Sequence, residues 1–182
     1  GFDLPNYPPM QIGAAQTVDS TLFVGVKGLV GSPTPTSIKY GLEIYDINLW
    51  VRPVRKSQLV LDAPVYGLAV LGNQVFLAGD TGGVHVVDAT NLNEPLLVNS
   101  IPLSSHRAMD VAINEQRGVM AVAAANDLGT GYIRFIDVNK DQLPAAIGYP
   151  NIEFNSTEVG GLFGAPVDLQ WQGDSLYALY LN

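Results

Sequence analysis

The chain has 182 residues, 47% of them hydrophobic, which is enough for one domain with a sizeable core and too apolar for a disordered protein. Its net charge of −8 and pI near 4.4 argue against a nucleic-acid binder, which works by neutralising phosphates, and against binding to a bare anionic membrane. The absence of cysteine excludes disulfides, thiolate catalysis and cysteine-ligated zinc, and no apolar stretch approaches the ~18 residues of a membrane-spanning helix.

The Pro-rich start, Pro5 to Pro9, reads as a linker or docking segment, and Phe2-Asp3-Leu4-Pro5 as the tail of a preceding strand. Beyond it, short apolar runs alternate with Gly, Pro, Asn and Asp clusters, the pattern of an all-β chain. A first strand is expected at Ile12 to Ala15 and recurs at Gly67 to Val70, Asp110 to Ile113 and Asp168 to Trp171. A tight turn leads to a second strand at Leu22 to Val26, Val75 to Ala78, Val119 to Val122 and Leu176 to Tyr180. The third strand ends in Asp, in the runs LEIYD, VHVVD and IRFID, which finish at Asp46, Asp88 and Asp137. Seven residues after each Asp stands a proline, Pro53, Pro95 or Pro144, and a fourth strand follows at Gln58 to Leu61, Leu96 to Ile101 and Ala145 to Tyr149.

A four-strand unit recurring roughly every 40 to 50 residues points to propeller blades. The expected fold class is an all-β β-propeller segment of four-stranded antiparallel blades, about three and a half of them. The divisions are a lead-in or tail of a preceding blade at 1–9, blade 1 at 10–62, blade 2 at 63–104 and blade 3 at 105–150. A long connecting loop at 151–165 and the first half of blade 4 at 166–182 complete the chain. The start at Gly1, without Met or signal peptide, reads as a processed form or expressed segment. Such an arc leaves sheet edges open, to be completed by the rest of a parent chain or by another chain. The rival is a small four-bladed ring whose last blade borrows an N-terminal strand.

The repeat resembles the LVIVD-repeat family of β-propellers, in which an apolar run ending in Asp is followed by a D-x-S/N-x-P-x-x-P turn. Asp46, Asp88 and Asp137 and the final prolines match, with Asn48, Thr90 or Asn139 two residues after the Asp, while the inner proline is missing in all three copies. The resemblance covers roughly residues 10 to 182 and implies a propeller fold without implying a function.

Repeated Asp residues are expected to cap the turn between third and fourth strands through a side-chain oxygen. Asp137, Asn139 and Asp141 also resemble the first half of a calcium loop, but Gln142 and Gly148 stand where an EF-hand needs Gly and Glu. Calcium is thus the one cofactor considered. The spacing from second strand to motif Asp varies, being longest in the first copy and shortest in the second. The extra length falls in Lys27 to Lys39 and Ala125 to Gly131, and the segment from Pro150 to Ala165 is long as well. In up-and-down blades these loops share one face, which becomes the expected working face.

That face is expected to carry His106 and Arg107 ahead of a first strand, with Asp110 and Asp168 at the starts of two first strands. Asp80 and Asp127 sit in corresponding hairpins. Asp80-Thr81-Gly82 has the letters of an aspartic-protease motif, yet a turn accounts for it. His85 falls on the polar phase of its strand and reads as a surface residue. Asn155-Ser156-Thr157 fits a glycosylation sequon. No hydrolase, zinc-protease or phosphate-loop motif is present.

The reading that follows is a non-enzymatic protein-binding or structural module, a segment of a larger exported multidomain protein of bacterial type, placed at the cell surface, outside the cell or in the periplasm. Its partner would be another protein chain or the remainder of its own, with no nucleic acid and no membrane insertion. The alternative is a hydrolase or lyase using His106, Asp110 and Asp168 in a funnel, with or without a divalent cation.

Overall fold

A computed structural model describes residues 10–29, 40–49, 51–127, 130–139, 152–154 and 164–181. These residues form strands and no helix, so none of them belongs to a helix long and apolar enough to cross a membrane. β1 (Met10–Val18), β2 (Thr21–Leu29), β3 (Tyr40–Asp46) and β4 (Val54–Leu61) make the first sheet. β5 (Gly67–Leu71), β6 (Gln74–Ala78), β7 (Val84–Asp88) and β8 (Leu96–Ile101) make the second. β9 (Arg107–Asn114), β10 (Val119–Ala125), β11 (Gly131–Asp137) and β12 (Ile152–Phe154) make the third, and β13 (Ala165–Gln172) pairs with β14 (Ser175–Leu181) in a two-stranded fourth. Every sheet is an antiparallel meander of chain neighbours, and the first strands of successive sheets lie side by side, β1 by β5, β5 by β9 and β9 by β13.

Turn chemistry explains the tight first hairpins. Asp19, Gly72 and Gly173 sit at φ near +51°, +58° and +57°, the left-handed conformation that two-residue hairpins demand and that Gly and Asp tolerate. At the same end, two of the motif Asp residues, Asp46 and Asp88, close the turn after the third strand. Asp46 Oδ1 accepts the Asn48 amide at 2.9 Å, and Asp88 Oδ1 accepts the Thr90 amide at 2.8 Å and the Thr90 hydroxyl at 2.6 Å. Those bonds hold both carboxyls below the usual carboxylate range. The next residue then ties this turn to the hairpin of the first two strands. Ile47 donates to the Ser20 carbonyl, Ala89 to Asn73 and Val138 to Gly118, at 2.9, 2.8 and 2.8 Å. The same bond recurs in all three four-stranded sheets and is the physical content of the repeat.

The sheets pack face to face. Phe23, Leu42 and Ile44 of the first meet Val75, Leu77 and Val87 of the second. Phe76, Val84 and Val86 from the second sheet's other face meet Met120, Val122 and Ile136 of the third. Ala121, Ala123 and Ile133 then meet Leu169, Trp171 and Leu176 of the fourth. The second and third sheets are thus covered on both faces, which is why β6 and β10 read as continuous apolar runs rather than alternating ones. One buried charge interrupts the first sheet: Glu43, 1% exposed, is held by Arg55 at 3.0 Å and by the Tyr45 hydroxyl.

The observed strands depart from expectation in places. β1 and β4 begin earlier than the sequence predicts, β4 directly after Pro53, because pairing with β2 and β3 extends them. The fourth strand of the third sheet is Ile152–Phe154, within the stretch expected to be a connecting loop, and the strand expected over 145–149 lies outside the described residues. β9 and β13 each slip register by one residue against the second strand, just ahead of Asp110 and Asp168, and β1 does so ahead of Ala14 after a first irregularity between Gln11 and Ile12. These bulges aim a side chain without ending the strand.

Candidate functional site

At the end opposite the Asp-capped turns, the segment before β9 meets two hairpins. Asp80, at φ +51°, accepts the amides of Gly83 at 3.1 Å and Ala108 at 2.9 Å through its backbone carbonyl, which pins the β6–β7 hairpin to the start of β9. The Asp80-Thr81-Gly82 letters thus serve a turn. In the next hairpin the Asn126 side chain bridges to Thr130, its Oδ1 accepting the amide at 3.0 Å and its amide nitrogen donating to the hydroxyl at 2.6 Å. With Ser104 and Ser105 these turns wall a cleft of about 190 Å³, lined also by Thr81, His106, Arg107, Asn126 and Asp127. Hairpins between second and third strands and the segment leading to a first strand therefore do share one end of the molecule.

Arg107 sits at its centre between two carboxylates. It donates to Asp127 Oδ1 at 2.7 Å and lies 3.5 Å from Asp80 Oδ1, an ion pair without a directed hydrogen bond, since that oxygen has no bonding partner. The Asp127 arm is largely exposed, so its contribution is small. Beside them, burial and then the Asp80 charge push the Tyr66 phenol up, and the Lys27 ammonium stands 4.8 Å above the Tyr66 ring. His106 packs its ring on Tyr132 at 4.7 Å, with Nδ1 buried and unbonded, and the Tyr132 hydroxyl donates to the Leu103 carbonyl at 3.0 Å. Among the described residues no serine or threonine hydroxyl engages that nitrogen, so they form no nucleophile–base pair there. The cleft is a polar recess in which Arg107 is already paired with Asp127 and Asp80.

Asp110 and Asp168 form a separate constellation, between β9 and β13. Asp110 Oδ2 accepts the Leu169 amide at 2.7 Å. Burial pushes the Asp110 carboxyl up to about 7, against the pull of the Leu169 and Val111 amides, and the charge of Asp168 with its hydrogen bond to Asp110 adds to the rise. From the other side the chain crowds in: a Cβ on Gly67 would come 2.1 Å from Asp110 Oδ1, so only glycine lets β5 lie this close. Asp168 itself is exposed.

Of the expected site residues, then, His106, Arg107, Asp127 and Asp80 come together, Asp110 and Asp168 pair elsewhere, and the two groups are not one funnel site. Asp137 and Asn139 lie at the opposite end, where the Asn139 carbonyl accepts the Gln74 side-chain amide at 3.1 Å. Asp141 and the sequon at 155–157 lie outside the described residues. Among the described residues, no three His, Asp or Glu converge as a metal site requires.

His85 differs from the sequence reading. It is half-buried beneath the β6–β7 hairpin, where a Cβ on Gly79 would lie 2.3 Å from its ring, and its Nδ1 lies 2.8 Å from the Ser100 hydroxyl. Burial pulls its pKa down, opposed by Asp62. The signal was the glycines at 79 and 82, which leave room for a ring over the hairpin backbone. Ser104, Ser105 and Asn126 were missed outright, being single polar residues in loops.

No family model matches the chain, and no curated protein matches it. Its fold is similar to that of the crystal structure of the computationally designed Ika4 protein, with a TM-score of 0.53 at 13% identity over 97% of this chain and 95% of that one. The computationally designed Ika8 protein is more distant, at a TM-score of 0.44 and 14% identity over 92% of this chain and 55% of Ika8.

Proposed function

We propose that the protein is a β-propeller-type binding module whose partner is a polypeptide, and that the partner adds a strand to β14. The observation that carries this reading is that, among the described residues, β14 borders a two-stranded sheet while the other three sheets have four strands. Tyr177 and Leu179 beside that edge are 57% and 56% exposed, which gives an incoming strand apolar side chains to cover as well as backbone groups to pair. The LVIVD-like repeat and the meander sheets support blades as the unit. The acidic, cysteine-free composition supports a segment of a larger exported protein at a cell surface or in the periplasm.

The repeat itself supplies the probe. In the third sheet the strand beside β10 is Gly131–Asp137, so a peptide of that sequence mimics the strand that β14 would receive. Titrated against the isotope-labelled chain, it is expected to shift the β14 amides, while a scrambled peptide leaves them unmoved and a Leu179→Lys variant weakens binding at least tenfold. Unmoved β14 amides at millimolar peptide, together with a solution mass of one chain, would overturn the reading.

A second reading, a hydrolase or lyase, draws on the near-neutral Asp110 carboxyl. His106 is engaged with Tyr132 while Asp110 is engaged with Leu169, so the three residues do not form one acid–base set. A thermal shift with Ca²⁺, Mg²⁺ or Mn²⁺ that is lost in Asp110→Ala or His106→Ala would favour it.

A further inference from the structure

We propose that Asp110 and Asp168 act as a proton-sharing clamp that fastens the two-stranded fourth sheet to the third, tightest in acid and loosening as the pH rises towards neutrality. Three geometric features carry it. The bulges ahead of Asp110 in β9 and ahead of Asp168 in β13 sit at matching points of adjacent first strands and set two carboxyls against each other. The Asp110 carboxyl reaches across the gap to the backbone of β13, at the Leu169 amide. Behind it the Gly67 backbone leaves it no room to swing away.

A carboxylic acid in this position can accept the Leu169 amide and donate its proton to Asp168. Once the proton leaves, two like charges face each other in a partly dry seam, and the Leu169 and Val111 amides compensate only in part. The other strands packed on Asp110 bring no rival charge among the described residues. β5 supplies Gly67, with Tyr66 next to it, β10 supplies Ala123 as register partner, and the nearest charges along β9 and past β6, Arg107 and Asp80, are paired with each other. The fourth sheet is the natural place for such a clamp to act, because among the described residues β13 and β14 have one packed face and no further strand beside them.

The folded-state pKa lies above the unfolded one, so the proton stabilises the contact fully below about pH 4, and that stability is lost as pH rises towards the folded value of about 7. Amide hydrogen exchange across pH 5 to 8, corrected for intrinsic rates, reads this directly. Protection of Leu169 and its β13–β14 neighbours is expected to fall by up to roughly tenfold per pH unit up to neutrality and then level off, while β5–β8 amides stay flat. In Asp110→Asn, whose amide keeps both the acceptor and the donor, protection should stay at its acid level throughout. In Asp168→Asn, an exposed site that leaves folding intact, the midpoint should move to lower pH. Wild-type protection that is flat from pH 5 to 7 overturns the proposal. So does an unshifted midpoint in Asp168→Asn, or an undiminished slope in a folded Asp110→Asn. None of these outcomes depends on what β14 binds.

Discussion

The second and fourth sheets begin with the same pair of strands and end in different circumstances. In the second, β6 is packed on both faces and all five of its residues are buried. In the fourth, Leu176 and Ala178 face the third sheet while Tyr177 and Leu179 alternate into the open. After their polar first residues, Gln74 and Ser175, both runs are apolar or aromatic, so their letters alone do not separate a strand with two covered faces from one with a single covered face. What decides is the neighbour: a repeat unit acquires its core from the sheets beside it, as stacked repeats do. The exposed face of β14 is where the proposed polypeptide partner would pack.

The contrast can be tested by deleting core on each side. Phe76→Ala in the second sheet should cost about 3–5 kcal/mol in chemical denaturation, because the side chain is fully buried. Leu176→Ala in the half-buried fourth sheet should cost at most about half as much. Equal losses would break the comparison. Gly67→Ala comes next at about 2 kcal/mol, since its Cβ would press on Asp110 across the second and third sheets. Arg55→Ala carries the test to the first sheet. Stranding Glu43 in a buried site should cost about 2 kcal/mol, and a Glu43→Gln partner change should recover part of it. Acidity acts in the opposite sense to the usual carboxylate. Raising the pH from 5 to 7 should lower stability through Asp110 by about 1–2 kcal/mol, visible as a lower melting temperature that Asp110→Asn abolishes. Smallest is Asp88→Ala, which removes a turn cap on the well-packed second sheet and should cost about 1 kcal/mol or less.

Much of this arrangement is written in the chain and some of it is not. The Asp-to-Pro spacing locates third and fourth strands because a turn needs its cap at a fixed place, and Asp46 and Asp88 show that cap. The crowding of His106, Arg107, Asp80 and Asp127 at one end was legible from loop length, since alternating strand direction sends those loops the same way. The Asp110–Asp168 contact was not, because it depends on one-residue bulges that leave no mark in hydrophobic period. Nor was β12, whose three residues pair with β11 at a point no composition rule distinguishes from loop. His85 was misplaced because polar phase predicts exposure only when nothing folds over it, and the glycine hairpin does.

The bond from the residue after each motif Asp to the neighbouring hairpin, at Ile47, Ala89 and Val138, has a consequence for how such a chain can be edited. It welds the two turns of a sheet into one rim, so a residue inserted on that rim must break the weld. Among the described residues the opposite rim shows no such tie between its hairpins within a sheet. Variation in length can accumulate there without disturbing the scaffold, and a foreign peptide spliced between Asn126 and Thr130 would be carried as a graft, whereas the same peptide spliced after Asp88 would unpick the sheet that bears it.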